Sequence, residues 1–150
     1  MLVKDVMNRG PRSIMPETSI AEAMSLMSSY RIDSLPVAVN KELVGFVQLR
    51  DLLALFLPKS IPAQKQESAF DTRRLQRRCA PIARAAVKRL MKSTSRSIAP
   101  DKSVKAAMDI MLDLHVSQLA VTENRRLVGM IGFEDVNNAI LETTGPRAVA

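Results

Sequence analysis

Offset by 84 positions, residues 3–57 align with residues 87–141 without a gap, and 19 of the 55 aligned pairs are identical. A repeat of that length constrains the fold more than any single motif, because each copy must be one supersecondary unit and both must fold alike. The identities fall in clusters. Val3-Lys4 meets Val87-Lys88, Met7 meets Met91, and Arg12-Ser13-Ile14 meets Arg96-Ser97-Ile98. Ala23-Met24 and Met27 meet Ala107-Met108 and Met111; Leu43-Val44-Gly45 meets Leu127-Val128-Gly129; Asp51 meets Asp135.

Within each copy the hydrophobic period changes in the same order. Ile20, Ala23, Met24, Met27 and Tyr30 recur at helical spacing, as do Val104, Ala107, Met108, Met111 and Leu114. Ser19 with Glu22 has the form of a capping box; the second copy lacks the Glu. Pro16 and Pro100 stand ahead of these helices, where proline is tolerated. The runs LPVAV and LVGFVQL flank a polar turn at 40–42, and LAV and LVGMIGF flank one at 122–126, each pair reading as a β-hairpin. Short helices are expected at 51–57 and 135–141, and Ser13-Ile14 and Ser97-Ile98 read as strand-like lead-ins. The unit is strand-helix-strand-strand-helix, an α/β (α+β) fold. A unit of about 55 residues is marginal alone, so the two copies are expected to bury their open sheet faces against each other with approximate two-fold symmetry. The expected organisation is repeat 1 at 1–57, a basic, partly helical linker at 58–86, repeat 2 at 87–142 and a tail at 143–150.

Charge singles out the linker. The chain carries a formal +7, yet residues 58–86 hold seven Lys or Arg against two acids, a net +5. Arg73, Arg74, Arg77 and Arg78 recur at helical spacing, and Pro81 is expected to break or restart that helix. Such a face suits RNA, an anionic lipid surface or an acidic partner protein, and equally a solvated linker helix, which is the preferred reading. No aromatic side chains interleave with the arginines, which argues against stacking on single-stranded nucleic acid.

Other classes are excluded on simple grounds. One cysteine, Cys79, allows no intramolecular disulfide, and one histidine, His115, leaves no zinc site of Cys and His. Cys79 reads as an ordinary small linker residue ahead of a redox thiol. The start, MLVKDVMNRG, lacks a signal peptide's apolar run, and no window approaches the roughly 20 apolar residues of a membrane span. A cytoplasmic location is expected. Without tryptophan, the core must be filled by Leu, Ile, Val, Ala and the nine methionines. A glycine-rich phosphate loop, a nucleophile elbow and a recognisable catalytic pair are all missing, so no catalytic or metal-ligating residues are assigned.

The stretches VKDVM and VKRLM, SIMPETSIAEAM and SIAPDKSVKAAM, DSLPV with LVGFVQLRD, and SQLAV with LVGMIGFED resemble the CBS domain, the module named after cystathionine β-synthase. The chain resembles a stand-alone tandem pair, or Bateman module. The resemblance implies a regulatory sensor that binds an adenosine-type nucleotide (AMP, ADP or ATP, with NAD or S-adenosylmethionine as related ligands) in clefts between the repeats. It further implies signalling to a partner protein and a homodimer forming a disc of four repeats.

The resemblance assigns Asp51 and Asp135 to the ribose, whose vicinal hydroxyls match the two acceptor oxygens of a carboxylate. Ser13, Ile14, Leu35, Pro36 and Val37 would hold the base in the first copy; Ser97, Ile98, Leu119, Ala120 and Val121 would do so in the second. Asp33-Ser34 and Ser117-Gln118 lie at the positions that the resemblance turns toward phosphates. Arg50 and Glu134 precede the two aspartates, and Arg50, Arg12, Arg96 or His115 would supply positive charge. The family's Thr/Ser position is Gln48 in one copy and Gly132 in the other, and Pro36 with Gln48 favours the first site. An Asp in the first turn of a helix is also favourable without any ligand, by about 0.3–1 kcal/mol. The alternatives are a ligand-free dimerisation scaffold and an adaptor binding nucleic acid or an acidic partner through the arginine-rich linker.

Overall fold

The computed structural model describes residues 1–57, 72–92 and 96–145. Lys59, Lys65, Glu67 and Asp71 of the basic segment and residues 146–150 of the tail lie outside the described residues, as does the Arg74 side chain. In chain order the elements are α1 (Val3–Val6), α2 (Ile20–Tyr30), β1 (Ser34–Val39), β2 (Glu42–Gln48), α3 (Leu49–Phe56), α4 (Thr72–Arg84), a 3-10 turn (Val87–Arg89), β3 (Ser97–Ile98), α5 (Val104–Asp113), β4 (Gln118–Glu123), β5 (Arg126–Gly132) and α6 (Phe133–Thr144). The hydrogen-bonded strand order is β1-β2-β5-β4-β3.

The helices start where the sequence places their caps. Ser19 Oγ accepts from the Glu22 N–H at 3.1 Å, and Ser103 Oγ accepts from the Ala106 N–H at 3.1 Å. Each satisfies one of the orphan donors of its first turn. The hairpin turns are tighter than the expected 40–42 and 122–126. Each is two residues, Asn40-Lys41 and Asn124-Arg125, with φ of 50°, 68°, 49° and 68°. Positive φ at both positions is the type I′ geometry, whose twist matches that of the flanking strands. The strands therefore run further toward the tips than their apolar runs show, ending in exposed residues such as Glu42 and Arg126. α3 and α6 each begin two residues earlier than expected, which makes Asp51 and Asp135 the third residue of their helices.

The chain divides into two compact units that do not coincide with the two repeats. One comprises 1–12, 38–44 and 93–150; the other comprises 13–37 and 45–92. The opening segment of the first copy thus belongs with the body of the second, and the opening segment of the second with the body of the first.

In the first of these units, Val3 is fully buried among Ile98, Val104, Ala107, Met111, Leu119, Val121 and Ile131. Its N–H donates to Lys102 O at 2.8 Å and that of Lys4 donates to Pro100 O at 2.9 Å. Asn8 and Met130 exchange N–H···O bonds at 2.8 and 3.0 Å. β3 pairs in parallel with β4 (Ser97 opposite Ala120, Ile98 opposite Val121), β4 pairs antiparallel with β5, and Glu42 at the hairpin tip stands opposite Arg126.

In the second unit the seating of the opening segment and the parallel lead-in recur, displaced by 84. Val87 is fully buried, as are Ala23 and Leu52. The Val87 N–H donates to Thr18 O at 2.8 Å and that of Lys88 to Pro16 O at 3.0 Å, while Lys92 and Phe46 exchange bonds at 2.8 and 3.0 Å. Ile14 bridges Val37 in parallel. Helix α4 packs on α2 and α3. It also runs unbroken through Pro81, against expectation. A proline removes one helical hydrogen bond and crowds the preceding turn, but the turn containing Ile82 and Ala83 is half-buried, and Ala85 just beyond it accepts from the Ile20 N–H at 2.9 Å. Tertiary packing overrides the local break.

Candidate ligand-binding site

The residues singled out in the sequence assemble as two sets, each inside one compact unit. Ser13, Ile14, Ser34, Leu35, Pro36, Val37, Gln48, Arg50 and Asp51 lie in 13–37 and 45–92; Ser97, Ile98, Gln118, Leu119, Ala120, Val121, Gly132, Glu134 and Asp135 lie in 93–150. The lead-in strand places the former set: Ile14 N–H donates to Pro36 O at 3.0 Å, and Leu49 N–H donates to Asp33 O at 2.8 Å. Phe133 N–H donates likewise to Ser117 O at 3.2 Å. In both copies, therefore, the helix carrying the aspartate starts against the residue that precedes a hairpin strand.

Many of the assigned side chains point away from solvent. Leu35, Val37, Leu119, Ala120 and Val121 are almost wholly buried, and Ile14 and Ile98 nearly so. Their side chains belong to the core, so what they can offer a ligand is backbone. Ser13, Arg50 and Glu134 are exposed; Gln48, Asp51, Ser97, Gln118 and Asp135 are half-buried. Ser34 is buried.

The two aspartates are engaged differently. Asp51 Oδ2 lies 3.0 Å from Lys92 Nζ, with Asp51 30% and Lys92 50% exposed at the side chain. Beside it Arg50 Nε donates to Gln48 Oε1 at 3.2 Å. Asp135 instead turns one oxygen back on its own helix, where Oδ2 accepts from the Gly132 N–H at 2.8 Å. Burial raises the Asp135 pKa above its ordinary value, the Gly132 N–H opposes that shift, and neighbouring Glu134 adds to it.

Gly132, at the position where the resemblance implies Thr or Ser, has little room for a side chain. A Cβ there would lie 3.0 Å from Ser117 O and 3.1 Å from Gln118 Cγ. Arg96, offered as a source of positive charge, has a buried Nη1 with no hydrogen-bond partner among the described residues. His115 and Arg31, equivalent in the repeat, both take the left-handed conformation just past a helix end, φ 52° in each. No sequence signal marks Lys92 as a site residue. Its counterpart in the repeat is Asn8, and only the placement of 87–92 against β2 brings it to Asp51. Among the described residues no cluster of three or more metal-ligating side chains occurs, and no helix is long and apolar enough to cross a membrane.

The family model for the CBS domain matches residues 3–58 and 87–142. The chain belongs to the CBS-domain family and carries two copies of its domain. An inosine-5′-monophosphate dehydrogenase from Korarchaeum cryptofilum is 40% identical over 53 residues, which is 35% of this chain and 11% of that enzyme. The chain thus spans a small part of that relative. Among solved structures, AcuB from Vibrio cholerae superposes with a TM-score of 0.75 at 22% identity, covering 100% of this chain and 97% of that one. CBSX2, a CBS-pair protein from Arabidopsis thaliana, crystallised in complex with AMP, gives 0.74 at 23% identity, covering 96% and 98%.

Proposed function

We propose that this CBS pair is a non-catalytic regulatory module that binds an adenosine-type nucleotide at the Asp51 position and passes its occupancy to a partner protein. The observation that carries the reading is the Asp51 carboxylate. It is partly exposed, it opens a helix, and it sits beside Lys92, Arg50 and Gln48. A carboxylate in that setting can accept both hydroxyls of a ribose. Cations beside it suit the phosphates, which are planar-fork partners for Arg and point-charge partners for Lys. The AMP bound by CBSX2, a protein of the same fold, supports the ligand class. A cytoplasmic homodimer is the setting in which such a module would act, and its ligand shifts a population already present.

A thermal-shift panel of AMP, ADP, ATP, NAD and S-adenosylmethionine tests the reading on wild type, Asp51→Ala and Asp135→Ala. A ligand that binds only the native state raises the melting temperature by mass action. The expected result is a shift with a phosphorylated adenosine that disappears in Asp51→Ala. No shift with any of the five transfers the lead to the ligand-free scaffold.

A further inference from the structure

We propose that Lys92 makes the Asp51 position selective for a phosphorylated adenosine over the bare nucleoside, by exchanging one ion-pair partner for another. The proposal rests on the nucleotide reading above and adds to it a residue that sets specificity. Lys92 Nζ sits 3.0 Å from Asp51 Oδ2. The backbone of Lys92 is fixed by two hydrogen bonds to Phe46, at 2.8 and 3.0 Å. The absent side chain of Gly45 lets the Lys92 carbonyl approach, since a Cβ there would stand 2.7 Å from it. The main chain is therefore anchored while the four-carbon stem can swing.

A ribose diol arriving at Asp51 competes with Lys92 for the acceptor sites of the carboxylate. If the ligand is adenosine, the ammonium shares or gives up its partner and gains none. If the ligand carries a 5′-phosphate, the ammonium moves from one anion to another and the ion pairing is conserved. Arg50, exposed and one residue before Asp51, places a second cation at the same helix start. The equivalent position in the other copy lacks these parts. Asn8 replaces Lys92 and accepts from the Gly10 N–H at 2.9 Å, and Glu134 replaces Arg50.

Calorimetric titrations of AMP and of adenosine into wild type, Lys92→Asn and Lys92→Arg test this. The wild type is expected to bind AMP at least about tenfold more tightly than adenosine, the scale of one charge-assisted hydrogen bond. Lys92→Arg keeps that preference. Lys92→Asn reduces it to about twofold or less, and binds adenosine as tightly as the wild type or more so, because no ion pair has to open. An unchanged melting temperature checks that the variants are folded, as expected for a half-exposed pair. An AMP preference that survives in Lys92→Asn, or equal binding of both ligands by the wild type, overturns the proposal and leaves the nucleotide reading intact. Absence of binding by either ligand in folded wild type overturns the nucleotide reading, and the selectivity with it.

Discussion

Asp51 and Asp135 occupy the same place in the repeat, yet their surroundings give them different chemistry. Asp135 is held between burial, which favours its neutral form, and the Gly132 N–H, which favours its charge. Because its folded pKa is raised, the native state binds the proton more tightly than the unfolded chain does. Stability is then lost as pH rises from the ordinary carboxylate range through the raised value, and the loss is constant above it. Asp135→Asn removes this penalty while keeping an acceptor for the Gly132 N–H. Melting curves from pH 4 to 7 should show the wild type losing ground to Asp135→Asn as pH rises; a loss in the opposite direction contradicts the assignment. Asp135→Ala also discards the cap and should be less stable than Asp135→Asn by about 0.5–2 kcal/mol at neutral pH in urea titrations. The sequence marked both aspartates, but whether an acid faces a cation or its own helix depends on a neighbour 41 residues away in the chain in one case and three in the other.

The repeat made the element order legible because its hydrophobic periods occur twice in register. Ile20, Ala23 and Met27, and their counterparts Val104, Ala107 and Met111, are buried as the helical spacing requires. Element ends were less legible. A polar residue at a strand tip reads as turn, yet the two-residue turns draw Glu42 and Arg126 into the strands. Lys41 holds a φ of 68°, which is unfavourable for a residue with a Cβ and natural for glycine. Lys41→Gly should therefore stabilise by about 0.5 kcal/mol or leave stability unchanged, measured by urea denaturation; a clear loss would show that the turn is held by the lysine side chain. The hairpin glycines act differently. A Cβ at Gly45 would meet Lys92 O at 2.7 Å, and one at Gly129 would meet Asn8 O at 2.8 Å. Gly45→Ala and Gly129→Ala should each cost about 1–3 kcal/mol by forcing the crossing backbone away. Equal stability to wild type would mean that the opening segments are not seated on these strands.

At the scale of the whole chain, compact units and sequence repeats are different divisions of the same residues. The opening segments carry matching residues, Val3 with Val87 and Met7 with Met91, so these residues do not mark which body each segment joins. The structure seats Val3 in the unit of 93–150 and Val87 in that of 13–37. A fragment cut at the repeat boundary, residues 1–57, lacks Val87 and the strand partner Lys92, and circular dichroism should find it largely unfolded; a cooperatively folded fragment would contradict this division. Lys92 reaches Asp51 through that placement, and the ligand reading rests on the carboxylate where they meet. The most direct test is a calorimetric titration of AMP into wild type and Asp51→Ala. Saturable binding to the wild type is expected, falling at least about tenfold in the variant; unchanged binding in Asp51→Ala, or none to the folded wild type, would contradict a ligand site at this carboxylate.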